Sequence, residues 1–363
     1  MANTVLILGA GASKLAGVPL MNDFLDVARD LLILKQTGEY EENFKAVFEG
    51  ISKLQLVHSK SQLDIQNVES VFAAFEMAKT LGRFSDYSAE DIDFLVKSMQ
   101  LLILGTIQTT FRIPNRQHGI TAPAPYEAFA NYIFDVLEDR NYSQSIAVIT
   151  FNYDMALDLA FHLRGVPIRY GLQSNENTTA LPLLKLHGSL NWVQCATCNE
   201  VVPWYLHDYF KKYNWHRSMM DKDIKTVTMG IGSHIKSYSH GDHLVQNEPL
   251  IVPPTWNKSG HYAAIAPVWA LAAKELAEAE NIFVVGYSLP QTDIFFRLLY
   301  AIGTVGDVPL NRFWVFNPDE SGETELRFKT MLGPGAIQRF KYFPLKFENC
   351  LGDIFESIKL KRR

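Results

Sequence analysis

Three short segments of this 363-residue chain carry residue types that could do chemistry on a bound ligand. Thr150-Phe151-Asn152-Tyr153-Asp154 sets an amide and a carboxylate two residues apart. The Asn152 amide can hold a water or a sugar hydroxyl, or shape a turn. Asp154 can accept hydrogen bonds from a ligand or cap the helix that follows. Leu186-His187-Gly188 supplies an imidazole, a side chain suited to take up a proton near neutral pH, although a lone histidine can equally be structural. Gly9-Ala10-Gly11-Ala12-Ser13 offers glycines that admit a pyrophosphate close to the backbone, with N–H groups to meet its charge. Lys14 stands where a full G-x-G-x-x-G fingerprint has its third glycine, so the motif is partial, and a ligand-free strand-to-helix turn is the alternative.

These segments need elements to position them, and each follows an apolar run. Thr4–Leu8, Ser145–Thr150, Leu181–Leu186, Asn281–Val285 and Arg312–Phe316 are short, apolar and bounded by turn residues, the signature of strands buried in a parallel sheet. Ser13, Asn152, His187, Ser288 and Asn317 fall just past the ends of these five runs. In open α/β sheets that edge is where ligands bind. Helical patterns separate the strands. They run from Met21 to Leu34, through much of 41–140, and over the alanine-rich stretch Ala263–Ala279. Val68, Val71, Phe72 and Phe75 repeat at three-to-four spacing, one buried helix face, and Ala89–Phe111 is a second long helix. Pro114, Gly119, Pro123 and Pro125 make 112–125 a loop. The fold class expected is α/β, a Rossmann-like doubly wound parallel sheet with a large helical insertion. Residues 1–30 and 141–363 form its core, 31–140 the mainly helical insertion, and 192–250 an irregular insertion containing a Cys-x-x-Cys pair.

Composition narrows the function classes. A net charge of −5 lacks the basic footprint of a nucleic-acid binder, so none is expected as a partner. The basic end Ile358–Arg363 reads as a solvated terminus. Three cysteines, Cys195, Cys198 and Cys350, do not make a disulfide framework and point to a reducing compartment. No secretory pattern precedes Thr4 and no apolar run nears the ~20 residues that span a bilayer, so a cytoplasmic protein with no membrane contact is expected. There is no Walker motif, and Pro290 stands where a nucleophile elbow around Ser288 needs glycine. Asp293 reads as a helix cap, Ser239–His243 as a polar loop, and Trp204–Trp215 as core or a contact surface.

Taken in order, the segments resemble the sirtuin family, and within it the divergent prokaryotic sirtuin-like branch. The resemblance runs through Gly9–Ser13, Gly17-Val18-Pro19, Thr150–Asp154, His187-Gly188, Gly286-Tyr287-Ser288-Leu289 and Phe316-Asn317. It implies that NAD+ is bound, with Gly9, Ala10, Gly11 and Ser13 along the pyrophosphate and nicotinamide-ribose end. Asn152 and Asp154 would line the nicotinamide pocket, and His187 would face the ribose as general base. Gly286 and Ser288 would hold the far phosphate and ribose, with Asn317 near the adenosine ribose.

The departures from the family select the activity. Deacylases of the family follow Gly-Ile-Pro with Asp-Phe-Arg, whereas Pro19 is followed by Leu20-Met21-Asn22-Asp23-Phe24. They also carry four zinc-binding cysteines. Cys195-Ala196-Thr197-Cys198 supplies one pair and no second pair follows, so a vestigial, metal-free pair is expected, with His207, His216, His234, His240 and His243 as the available substitutes. The expected activity is NAD+ glycohydrolysis, with Asn152 positioning water and His187 accepting a proton. The rival readings are a deacylase and a non-catalytic NAD or ADP-ribose sensor. By resemblance, the protein would deplete NAD+ in antiphage defence as a homo-oligomer or with a partner such as a HerA-class ATPase or helicase.

Overall fold

A computed structural model describes residues 2–55, 63–117, 119–138, 145–173, 176–215, 224–252, 261–290 and 293–359. Its strands are β1 Thr4–Leu8, β2 Ile113–Arg116, β3 Gly119–Ile120, β4 Ile146–Thr150, β5 Ile168–Arg169, β6 Leu181–Lys185, β7 Trp192–Gln194, β8 Val201–Pro203, β9 Thr226–Val227, β10 Asn281–Val285, β11 Arg312–Phe316 and β12 Phe340–Phe343. Seven of them form one sheet in the order β12-β11-β10-β1-β4-β6-β5. All its pairings are parallel, β1 lying in register between β10 and β4, with Leu8 opposite Val285 on one side and Thr150 on the other.

Every residue of β1, β4, β6 and β10 is buried, which requires cover on both faces. Two helix groups supply it. The Ala124–Glu138, Ala156–Arg164 and Phe347–Lys359 helices meet around Phe129, which packs on Phe161, Phe347 and Phe355. The His261–Ala277 and Ile294–Gly303 helices pack on each other, Gly303 lying against Ala273. Chain order reverses between β1 and β10: β4, β6 and β5 are laid to one side of β1 and β10, β11 and β12 to the other. The sheet is therefore doubly wound and Rossmann-like, with its crevice at the C-terminal ends of β1 and β10.

Phe24–Ile33, Glu41–Leu54, Val68–Leu81 and Ala89–Thr110 pack together as a helical bundle. Asn67 caps the third helix through the N–H groups of Glu69 and Ser70, and Ser88 with Asp91 forms a capping box on the fourth.

Two regions depart from the sequence expectation. The stretch 112–125 is not wholly a loop: it holds the β2–β3 pair, and the next helix begins at Ala124 with Pro125 in its first turn, where a missing N–H costs no helical bond. The stretch 192–250 is not irregular throughout. β7 and β8 form an antiparallel hairpin, the Leu206–Tyr213 helix follows, and Trp204, Tyr209, Phe210 and Trp215 are buried together. These aromatics are core. The terminal Leu360–Arg363 and His216 lie outside the described residues. Among the described residues no helix is long and apolar enough to cross a membrane.

Candidate functional site

The turns after β1 and β10 interlock. Gly9 N–H donates to Val285 O (3.0 Å) and Gly11 N–H to Gly286 O (2.8 Å), while Ala12 N–H closes back on Gly9 O (3.0 Å). Gly286 has φ +62°, and a Cβ on it would lie 2.5 Å from Ala12 N; one on Gly11 would lie 2.8 Å from Gly286 O. These glycines are thus required by backbone-to-backbone contact. The N–H groups of Gly9, Gly11 and Ala12 are already committed within the protein.

Behind this turn lies a buried hydrogen-bond network. Asn152, past the end of β4, donates through Nδ2 to Gly9 O (3.0 Å) and to Ser13 Oγ (2.9 Å). Ser13 Oγ donates to Asp154 Oδ2 (2.7 Å) and lies 2.7 Å from the Tyr126 hydroxyl. With the Ser13 proton given to the carboxylate, the tyrosine hydroxyl donates, and every group has a partner. Both amide hydrogens of Asn152 are thereby used, which fixes its orientation and leaves Oδ1 as its acceptor. Asp154 also accepts from Ala156 N–H (2.9 Å), the helix-start role that its sequence position allowed. Burial raises the Asp154 carboxyl above its ordinary range, against the Ser13 and Ala156 hydrogen bonds and the charge of Lys185.

That lysine closes β6 and is fully buried. Lys185 Nζ pairs with Asp158 Oδ2 (2.6 Å) and donates to Asp154 O (2.8 Å) and Ser189 Oγ (2.7 Å). Asp158 also accepts from the Tyr170 hydroxyl, which in turn accepts from Asn191 Nδ2 (3.0 Å). The buried Lys185 amine is thus surrounded by a carboxylate, a carbonyl and a hydroxyl, which offsets the cost of its burial. The network ties the segment after β4 to the segment after β6, so Asn152 and His187 are held on one frame.

A cavity of about 740 Å³ opens at this rim, large enough for a dinucleotide-sized ligand. Of the residues singled out in the sequence, Ala10, Gly11, Asn152, His187, Gly286, Ser288 and Asn317 line it. Gly9, Ser13 and Asp154 stand behind its wall, the last two buried in the network just described. His187 lies edge-on to Phe151 (5.2 Å between ring centres), and Phe151 stacks on Tyr287 at 4.2 Å. Tyr287 donates to Asp293, whose other oxygen caps the Ile294–Gly303 helix through Phe296 N–H (3.3 Å), the capping role expected for it. Asn317 Oδ1 accepts from Asp319 N–H (3.0 Å), and Asp319 Oδ2 accepts from Thr324 N–H (2.9 Å) in the first turn of the Glu323–Met331 helix. The Ser321 hydroxyl and the N–H groups of Thr324 and Ser321 hold the Asp319 carboxyl well below its usual range. Lys14, Arg327 and Lys346 bring positive charge to the cavity.

Sequence reasoning missed Tyr126 and Glu69. Both come from 31–140, which had no evident part in the site, yet Tyr126 completes the Ser13 network and Glu69 lines the cavity. A tyrosine 113 residues away from Ser13 in the chain leaves no local signal. A second cluster lies in the small lobe built on β7 and β8. Cys195 and Cys198 are gathered there with His240 and His243, two of the five histidines that the sequence offered beside this pair, one side-chain atom of each lying within 4.8 Å of the others.

No family model and no curated protein matches this chain. Solved structures similar to it include a Sir2 homologue in complex with NAD, 13% identical, covering 100% of this chain and 91% of that one with a TM-score of 0.41. A Sir2–p53 peptide–NAD+ structure is 14% identical, covers 99% and 94%, and gives a TM-score of 0.36. A structure described for the mechanism and regulation of Sir2 enzymes is 15% identical over 99% and 93%, with a TM-score of 0.38.

Proposed function

We propose that this chain binds NAD+ along the sheet rim and hydrolyses its nicotinamide–ribose bond. The observation that carries the reading is the fixed amide of Asn152. With Nδ2 spent on Gly9 O and Ser13 Oγ, Oδ1 is the acceptor left to hold a water. His187, on the same cavity, is the proton acceptor.

The chemistry balances as NAD+ plus water giving nicotinamide, ADP-ribose and a proton. The C–N bond to nicotinamide breaks, its electron pair leaving with the neutral base, and positive charge develops on the ribose. The Asn152 carbonyl dipole favours that charge and orients the water whose oxygen bonds to the ribose carbon. His187 takes the proton released as that water bonds to the ribose carbon. Lys14, Arg327 and Lys346 meet the pyrophosphate charge that the committed N–H groups of the glycine turn do not, and Asn317 lies at the ribose end of the adenosine. Gly9, Ser13 and Asp154 act from behind by holding Asn152.

The resemblance to divergent sirtuin-like proteins extends the reading to an effector that depletes NAD+ in antiphage defence, switched on by self-association or by a partner such as a HerA-class ATPase. The test is nicotinamide and ADP-ribose production from NAD+ without any peptide, by wild type beside Asn152→Ala and His187→Ala. We expect losses of at least about 100-fold, the scale of a preorganised dipole or a general base. Turnover only with an acylated-lysine peptide would replace this reading by a deacylase. Binding without turnover in every assembly state would replace it by a sensor.

A further inference from the structure

We propose that Glu69, carried by the helical bundle, binds the ribose next to nicotinamide, its carboxylate accepting the two ribose hydroxyls. The inference deepens the reading of this cavity as an NAD+ site and rests on it. Glu69 lines the same cavity as Asn152, His187 and Tyr287. It is the second residue of the Val68–Leu81 helix, where Asn67 Oδ1 accepts from Glu69 N–H (2.9 Å) and Ser70 N–H (3.2 Å). Helical side chains tilt toward the N-terminus, so a glutamate in the first turn reaches past the helix end. Val68, Val71, Phe72 and Phe75 are buried and seat the helix that carries it.

Its neighbours put it at the reacting end. Burial first, then the Asp293 carboxylate, raises the Tyr287 hydroxyl well above its ordinary range, and the Glu69 charge adds to that shift. Glu69 is thus within electrostatic reach of Tyr287. Tyr287 stacks on Phe151 at 4.2 Å, and Phe151 lies edge-on to His187 at 5.2 Å and precedes Asn152 in the chain. This part of the sheet rim has little to offer two hydroxyls that must donate. The Tyr287 hydroxyl is spent on Asp293, and Phe151 has no polar atom. A carboxylate has two acceptor oxygens, enough for both hydroxyls of a ribose, and an acid plays that part in dinucleotide sites generally.

The other acids described along the cavity are engaged elsewhere or exposed. Asp293 accepts from Tyr287 and Phe296 N–H, Asp319 from Ser321 and Thr324, and Glu323 pairs with Arg327 (2.9 Å). Asp23 and Glu348 are exposed, whereas Glu69 is half-buried. Solvent and salt screen a half-buried charge less, so it acts more strongly on a bound ligand. As nicotinamide leaves, positive charge spreads over the ribose, and an anion at its hydroxyls favours that charge. The cations sit on the other wall: Arg327 Nη1 donates to Ser288 O (3.4 Å), beyond the turn after β10. Opposite charges thus sort the two parts of the ligand, anion to ribose and cations to pyrophosphate.

The experiment is calorimetric binding of carbocyclic NAD+, which keeps both hydroxyls but cannot release nicotinamide, beside the same compound lacking those hydroxyls. The proteins are the full chain, Glu69→Ala and Glu69→Gln, and both variants should melt with wild type, since Asn67 still caps the helix. Glu69→Ala should bind carbocyclic NAD+ at least about tenfold more weakly, and wild type should lose as much when the hydroxyls are removed. The two losses should not add, because each removes the same contact. Additive losses, or wild-type affinity in Glu69→Ala, would overturn the contact. Glu69→Gln keeps an acceptor and loses the charge, so kcat for nicotinamide release from NAD+ should fall by about 100-fold with KM changed far less. A wild-type kcat in that variant would overturn the role of the charge. The binding cycle needs no turnover, so failures separate. Non-additive losses without NAD+ cleavage would overturn the proposed hydrolysis and leave the ribose contact standing. No binding of carbocyclic NAD+ by wild type would overturn the NAD+ reading, and this inference with it.

Discussion

The rim of the sheet and the small lobe built on β7 and β8 are held by different means. At the rim, Asn152, Ser13, Asp154, Lys185 and Asp158 are buried and mutually bonded, with strands buried along their length beneath them. In the lobe, an aromatic cluster packs one side, while the Cys/His side, where Cys198 and His243 are exposed, is joined by two turns and a few backbone bonds. A constellation that must stay fixed within a fraction of an ångström is over-determined by its own network. A surface that only has to stay attached can rely on a few local links.

Breaking the rim should therefore cost the whole fold. Lys185→Met leaves the Asp158 carboxylate buried beside Tyr170 with no cation, and stability should fall by about 3–5 kcal/mol. Urea midpoints would read this, and adding Asp158→Leu should recover most of the loss; no recovery would show that the lysine acts through something other than this pair. A milder change sharpens the same point. Tyr126→Phe removes one donor to Ser13 Oγ, which keeps Asn152 and Asp154, so stability should drop by about 0.5–1.5 kcal/mol. If Ser13 positions Asn152, kcat for NAD+ should fall by less than about tenfold, the rate equivalent of ~1.4 kcal/mol, with KM unchanged. An unchanged kcat would make the contact purely structural.

The smallest effect belongs to the lobe. His234 bonds the Tyr209 hydroxyl (3.0 Å) and stacks on Tyr213 at 4.5 Å, and burial together with Lys236 lowers its pKa, Glu39 opposing and Lys212 reinforcing. A depressed folded pKa means its stabilising share is complete above the unfolded value, about 6.5, and is lost as pH falls through the folded one. Fluorescence of the lobe's buried Trp204 and Trp215 should report loosening on that descent, and His234→Phe should remove the dependence. An equal pH response in the variant would assign it elsewhere.

The same division explains what the sequence made legible. β1, β4, β6, β10 and β11 announce themselves as apolar runs because strands covered on both faces have no polar alternation, and the residues after them fall at the rim by geometry alone. The edge strand β12, Phe340-Lys341-Tyr342-Phe343, lacks that signal because one side is open. Lys185 was hidden inside an apolar run, since a buried charge is readable only with its partner, Asp158, in view. His240 and His243 were among five candidate histidines; sequence distance could not say that a turn would bring these two, rather than His207 or His234, to Cys195 and Cys198.

The interlocked glycine turns after β1 and β10 restrict how this binding site can diversify. Because Gly11 and Gly286 each occupy the space a side chain would need on the other, neither position can be varied to reshape the ligand. Altered selectivity, natural or engineered, has to be written into the facing segments, 317–327 and 345–348. Saturation libraries for cofactor choice belong there, with the glycine wall treated as fixed framework.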